Sequence, residues 1–376
     1  MNGATCDLPT LNKLSEAAET LLKEIIRIPA NSLEEKVKSD YIYNWLISKG
    51  IKNISRVGCN IIVKPEKSDP KLQTVMLCSH IDTVSPSAGY TIDPYSGVDC
   101  GDRIMGLGSN DDGGSVVCQI VTFLYLNYGF CKKDRKSSPL NINLMLVLSA
   151  EEEKSGKNGM AAVFRHFSQI PECETIPDFA IIGEPTGMKA ATAEKGLIVL
   201  DGLAVGKSGH AARNEGINAL YIGIDDINRI RNHKFRRKSK LMGDVKVTVT
   251  QASGGKLHNV VPDKFSFIVD IRPNERYTNE EIVGTLQKLT KSTLTPRSME
   301  HRVSYTPKNH RLIKAVKKSG IECFESPTTS DWTRIPCPAI KIGPGRSERS
   351  HQADEFIFKS EIREGIEKYI ELIKAL

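Results

Sequence analysis

A chain of 376 residues has room for two or three domains of roughly 150 residues each. With 39% hydrophobic and 26% charged residues it is ordinary globular material, which excludes disorder, collagen or coiled coil as a description of the whole. The net charge of +7 is modest, and the basic runs at 132–136 and 233–240 lack interleaved aromatics, so they read as solvated loops rather than a nucleic-acid site. Leu11, Leu14, Ala18, Leu21, Leu22 and Ile25 recur at helical spacing and predict an opening helix that Pro29 closes. A second helix is expected over 33–49, ended by Gly50 in a left-handed cap. Short apolar runs at 60–63, 74–78, 143–148 and 179–182 have strand character. Between them 114–128 reads as helix, with Val117, Ile120, Phe123 and Leu124 on one face. Strands alternating with helices predict an α/β domain with a largely parallel sheet.

After Thr186 the order changes. A strand over 197–205, a helix over 218–231, strands over 245–250 and 265–271, a helix over 278–294 and a short strand over 302–305 follow. Strand, helix, strand, strand, helix, strand is the order of a ferredoxin-like unit. The first pattern then resumes with a helix over 311–318, a strand over 339–342 and a helix over 361–376. The expected organisation is an α/β domain made of 1–187 and 301–376, interrupted by an α+β domain over 188–300. No apolar run approaches the ~18 residues of a membrane span, and the first residues carry no basic start before an apolar core, so no secretory signal is read. Nine cysteines without a CxxC or regular spacing suggest free thiols in a reducing cytoplasm.

Five stretches could do chemistry. His80 ends an apolar strand in SHIDT, with Asp82 two residues on. Alone this also fits a hydrogen-bonded polar turn. Asp111 and Asp112 stand among glycines in GLGSNDDGG, before an apolar helix. They could cap that helix, or a carboxylate there could bridge two metal ions. Glu151, Glu152 and Glu153 follow an apolar strand directly. Adjacent carboxylates at a buried strand's mouth repel one another, and a bound cation would offset that. Glu184 follows the next strand, and His351 comes shortly after the last one. In a parallel sheet all five gather on the carboxyl edge, where such sheets bind ligands. Two histidines with several carboxylates suit a pair of zinc-like ions and hydrolytic chemistry.

SHIDTV, GLGSNDDGG, SAEEEKSG, GEPTG, GKSGHAARNEGINA, NVVPDKFSFIVDIR and SHQADEF occur in this order. As a set they make the chain resemble the di-zinc amidohydrolase and exopeptidase family. That family contains acetylornithine deacetylase, succinyl-diaminopimelate desuccinylase, aminoacylases and glutamate carboxypeptidase. The likeness runs from about Leu14 to the C-terminus and is greatest to the acetylornithine-deacylating branch and its N-succinylornithine-cleaving relatives. The resemblance implies a metallopeptidase-like catalytic domain whose inserted ferredoxin-like domain pairs two subunits. It implies two divalent ions, zinc first, with cobalt or manganese as alternatives. His80 would bind one ion and Asp82 would orient it. Asp111 would bridge both, Glu184 would complete the first site, and Glu153 and His351 the second. Glu152 would be the general base. Asn259 and Arg272 would contact substrate, and His210 would reach the other subunit's site. Glu151 takes the place of the family's usual aspartate, which sets the frame through the three glutamates. The chain departs from the pattern at Gly113, where a lysine is usual, and near Asn214, where a proline is usual.

The expected reaction is hydrolysis of an N-acyl amino acid, acetylornithine to acetate and ornithine, as in arginine biosynthesis. Other substrates of the same chemistry remain open: N-succinylornithine, succinyl-diaminopimelate, another acylamino acid or a dipeptide. A metallophosphatase would need phosphate-positioning cations near the acids, where only Arg103 stands. A binding protein that had lost catalysis would lack the base or a ligand, and every one is present. Neither nucleic acid nor membrane is expected as a partner.

Overall fold

The computed structural model describes residues 6–132, 140–169, 176–213 and 215–376. Most of the first basic run, at 133–136, and Asn214 lie outside the described residues. Two compact units divide the chain. The first comprises Met1–Thr192, Tyr305–Phe324 and Ser330–Leu376; the second comprises Ala193–Ser304 and Glu325–Thr329. The second unit begins at Ala193, later than the expected 188 and within the strand Ala190–Glu194.

The first unit is built on a large sheet. Its central strands Asn143–Ser149, Thr74–His80, Phe179–Ile182 and Ala339–Lys341 lie side by side and parallel. Asn60–Val63 and Ile54–Val57 extend one side antiparallel. Side chains alternate across the sheet. Val75 and Leu77 join one apolar core with the helices Leu8–Ile26, Gly114–Tyr128 and Lys359–Lys374, while Met76 and Cys78 join another with Met160, Phe164 and Phe167. Both faces are therefore covered, which explains why the strands read as continuous apolar runs rather than alternating ones. The register places His80 opposite Ser149 and Cys78 opposite Ile182, so the strands end together on one edge.

The second unit carries an antiparallel sheet in the spatial order Lys246–Gly254, Lys264–Arg272, Ile198–Val205, Thr293–Pro296. The helices Ala219–Asn232 and Asn279–Leu289 complete the ferredoxin-like order. The second helix is shorter than its expected span over 278–294, and the fourth strand is Thr293–Pro296, not 302–305. Asp226 causes the early exit: its carboxylate takes the N–H groups of Lys291 and Ser292 at 2.9 and 2.7 Å, pulling the chain out of the helix. Ser304–Tyr305 joins the edge of the large sheet instead. Among the described residues no helix is long and apolar enough to cross a membrane.

Candidate metal centre

His80 ends its strand almost wholly buried. Its Nδ1 lies 3.0 Å from the Asp82 carbonyl and 3.6 Å from the Asp82 carboxylate. That side of the ring is the donor, so the free lone pair of Nε2 points the other way. There it meets Asp111 Oδ1 at 3.2 Å. Two acceptors face each other at this distance, and only a proton or a cation can join them. Without a metal the proton fills the role: burial opposes the imidazolium, but the Asp111 and Asp82 carboxylates outweigh it and hold His80 well above the usual histidine range.

The other Asp111 oxygen lies 3.7 Å from His351 Nε2. His351 Nε2 also meets Glu153 Oε1 at 3.0 Å. One carboxylate thus stands between two imidazoles, one oxygen toward each. Donor atoms of His80, Asp111 and Glu153 all fall within 4.8 Å of one another. Glu152 and Glu184 stand in the same crowd of charge. Burial pushes both well above the usual carboxylate range; Glu184 and Asp331 add to this at Glu152, and Asp111 does so at Glu184. The donor set of imidazole nitrogen and carboxylate oxygen, with Glu184 held above its usual range in the crowd, fits a pair of divalent ions.

The loops carrying these groups are held by a further ring of carboxylates. Asp82 accepts the backbone N–H groups of Glu152 and Glu153, each at 3.1 Å. Glu355 accepts those of Gly108, Asn110 and Asp111 at 2.9, 2.8 and 2.9 Å. Glu35 accepts those of Leu33 and Glu151. Glu151 turns away from the centre: its carboxylate takes the Asn158 N–H at 3.0 Å and the Asn158 amide at 2.9 Å. The run of three glutamates therefore divides into one loop tie and two residues at the centre.

Neither acid of GLGSNDDGG caps the following helix, whose N-cap is Gly113 with no side-chain bond. Asp112 is buried beside Ser79 and Ser115 with no partner in good hydrogen-bond geometry, and burial raises its carboxyl to about 8. The departure at Gly113 has a steric reason. A Cβ there would lie 2.3 Å from the Gly108 carbonyl oxygen and 2.8 Å from the Leu22 side chain, so this backbone has no room for a lysine.

Sequence reasoning missed Glu35, Glu355 and Asp331. Glu355 had a signal, since it lies in the same SHQADEF stretch as His351. Asp331 is buried, accepts the Ser149 hydroxyl at 2.6 Å, and is raised to about 6 by burial.

In the second unit, His210 is exposed and pairs with Val260 in a short antiparallel ladder. Its Nδ1 accepts the Ala212 N–H at 3.2 Å, and Ala211 donates to the Asn259 carbonyl at 3.1 Å. The ladder thus brings His210 and Asn259 into one loop pair. Arg272 is half-buried and forked onto Asp270 at 2.9 and 3.1 Å, with Nη1 donating to Thr329 at 3.0 Å.

Comparison with known proteins gives the family and the fold. The profile described as peptidase family M20/M25/M40 matches residues 76–375. Acetylornithine deacetylase of Erwinia tasmaniensis is 28% identical over 306 residues, covering 75% of this chain and 75% of that protein. Acetylornithine deacetylase of Buchnera aphidicola is 24% identical over 376 residues, covering 93% and 90%. In fold, an M20 family metallo-carboxypeptidase from Sulfolobus solfataricus superposes with a TM-score of 0.75 at 15% identity, over 95% of this chain and 98% of that one. A dinuclear metal binding peptidase of the same family from Bacillus subtilis superposes with a TM-score of 0.69 at 14% identity, over 98% of both. The profile match runs through most of the chain: the protein belongs to peptidase family M20/M25/M40 and is a metal-dependent hydrolase.

Proposed function

We propose that the chain hydrolyses the amide of an N-acyl amino acid, with N-acetylornithine as substrate and acetate and ornithine as products, a step of arginine biosynthesis. The observation that carries this reading is the Asp111 carboxylate set between His80 and His351. His80, Asp111 and Glu184 would hold one divalent ion, and Asp111, Glu153 and His351 the other. Zinc suits these donors, as cobalt or manganese would. Bound there, the ions would polarise the amide oxygen and make water acidic enough to attack near neutral pH. Glu152, not needed as a ligand, takes the water's proton and hands it to the leaving amine. A carboxylate at the centre that is free of a ligand's duty suits both halves of that exchange. Arg272 would bind the substrate α-carboxylate, aided by Asn259. His210 would donate to the developing oxyanion in the other subunit of a homodimer paired through the inserted domain. The eight described cysteines are all free, which supports a cytoplasmic setting.

An N-succinyl substrate is a second reading, favoured by one cleft. A cavity of about 410 Å³ opens between the stretch after Glu184 and the stretch before His351, lined by Thr186, Lys189, Phe324, Arg346 and Ser347 among others. Lys189 is paired with Glu322 at 2.8 Å. The carboxylate nearest Arg346, Glu361 at 4.0 Å, is already gripped by Arg349 at 2.7 and 3.0 Å. Arg346 is left to answer a negatively charged acyl tail. Steady-state hydrolysis of acetylornithine, succinylornithine and succinyl-diaminopimelate, each with and without a chelator, tests the assignment. No turnover of any N-acyl amino acid by metal-loaded protein would sink it.

A further inference from the structure

Asn110 stands one residue before Asp111 and is wholly buried. An amide cut off from water needs partners at both ends. Asn110 finds them on one residue. Its Oδ1 accepts the Arg346 N–H at 2.9 Å, and its Nδ2 donates to the Arg346 carbonyl at 3.0 Å. The side chain thus pairs with the Arg346 main chain as a neighbouring strand would. Gly345 leaves the space for it, since a Cβ there would lie 2.4 Å from Asn110 Oδ1.

Arg346 is the N-cap of the short helical turn Ser347–Arg349, and its carbonyl also accepts the Arg349 N–H at 3.0 Å. A turn of three residues has little internal freedom, so fixing its first residue fixes where its end lies. That end delivers His351. Ser350 donates its N–H to the Ser347 carbonyl at 3.2 Å, and its Oγ lies 3.4 Å from Asn110 Nδ2. His351 is exposed and has a φ of 62°, in the left-handed region. A residue other than glycine stays there only where its surroundings hold it. Glu355 grips the Asp111 loop from beyond His351, and Asn110 reaches from that loop to the stretch before His351. We propose that Asn110 is a positioning residue: its carboxamide seats the turn that carries His351 against the loop that carries Asp111. The inference rests on the metal-site reading.

The test uses the full chain, stripped of metal and then titrated with Zn²⁺ against a chelator. Asn110→Ala removes both bonds to Arg346. The turn itself keeps other ties, Ser347 Oγ to the Pro185 carbonyl at 2.8 Å and Arg349 to Glu361 at 2.7 and 3.0 Å, so the fold should survive. In metal-stripped Asn110→Ala, a peptide covering 346–351 should exchange its amide hydrogens at least ~10-fold faster than wild type, with the strand Asn143–Ser149 still protected. One of two Zn²⁺ ions should bind about 10-fold more weakly, as for loss of other groups that orient ligands. In a His351→Ala background the same change should add no further loss, because Asn110 acts through His351. Gly345→Ala, which drives a methyl into the Asn110 amide, should copy Asn110→Ala. Wild-type Zn²⁺ affinity at both sites in Asn110→Ala overturns the proposal. So does a full additional loss in the His351→Ala background, since Asn110 would then act elsewhere. If Asn110→Ala does not fold, Gly345→Ala decides: one weakened ion supports the proposal and wild-type affinity overturns it. Wild-type protein that binds no Zn²⁺ would defeat the metal-site reading itself, a result separate from any difference between wild type and variant.

Discussion

Asp82 holds the main chain of Glu153, accepting its N–H through Oδ2 at 3.1 Å, while its own carbonyl stands 3.0 Å from His80 Nδ1. One residue thus orients a ligand on each side of the centre. Asp82→Ala removes the carboxylate and frees the Glu152–Glu153 turn. Metal affinity should fall about 10–100-fold, and activity with it. Asp82→Asn keeps one acceptor oxygen and should lose less. Chelator competition on the two variants checks the order; equal losses would show that acceptor geometry is not what Asp82 supplies.

The three glutamates should separate cleanly. Glu151→Ala strands the Asn158 N–H, which should cost about 1–3 kcal/mol of stability and leave kcat near wild type. Glu152→Ala should lose about 10²–10⁴-fold in turnover while keeping both metals. Glu153→Ala should lose one metal per chain. Urea melts, steady-state rates and elemental analysis on the three variants read these outcomes. Metal lost from Glu152→Ala and kept in Glu153→Ala would reverse the roles.

Asp331 links stability to pH. Its carboxyl is raised from the ordinary 3.8 to about 6 by burial, although the Ser149 hydroxyl donates to it. The folded state therefore holds this proton more tightly than the unfolded chain. The resulting stability is complete below the unfolded value and is lost as pH rises through about 6. Asp331→Asn cannot ionise and escapes that loss. In metal-stripped protein it should be more stable than wild type at pH 8, by about 1–3 kcal/mol, with the advantage shrinking toward pH 5. A variant destabilised equally at both pH values would mean that the acid is needed for its hydrogen bond alone.

Much of this was readable from residue order. The run Val75, Met76, Leu77, Cys78 is apolar because both faces of its strand are covered, and a covered strand ending in His80 announces a polar edge. The pattern over 278–294 has no break at Thr290, so sequence alone extends the helix past its end at Leu289. What ends it is the Asp226 carboxylate, some 65 residues away in sequence. The clamps were hidden for the same reason. Glu35 sits beside other charged residues in LEEKVK and looks like a solvated helix start. Only the fold brings it under Glu151. The three glutamates show the opposite limit. Sequence order alone cannot say which carboxylate turns back on Asn158.

Arg346 should decide between the acyl groups. Arg346 lines the cleft beside the stretch after Glu184, and the carboxylate 4.0 Å from it, Glu361, is engaged by Arg349. A succinyl tail would offer it a carboxylate; an acetyl group would offer nothing. Arg346→Met should then lower kcat/KM for succinylornithine about 10-fold or more, as expected for a charged hydrogen bond of 1.5–3 kcal/mol. Its rate on acetylornithine should change little. Equal effects on both substrates would mean that Arg346 does not read the acyl tail.

The last prediction concerns His210. It is exposed in the inserted unit, in a ladder with Val260, and its Nδ1 accepts the Ala212 N–H. That bond leaves Nε2 as the protonated, donating nitrogen, the form needed to stabilise an oxyanion. Loss of one such donor typically costs about 10²–10³ in kcat. His210→Ala should therefore be nearly inactive with metal content unchanged, and Glu152→Ala nearly inactive as well. If each His210 serves the other subunit, a mixed dimer of the two variants has one site with both defects and one with neither. Co-expression with two different tags, followed by isolation of the mixed species, should restore close to half of wild-type activity per dimer. If His210 serves its own chain, each site keeps one defect and the mixed dimer stays as inactive as its parents. A monomer by sedimentation that is fully active would remove the pairing altogether, and with it any role for His210 in trans.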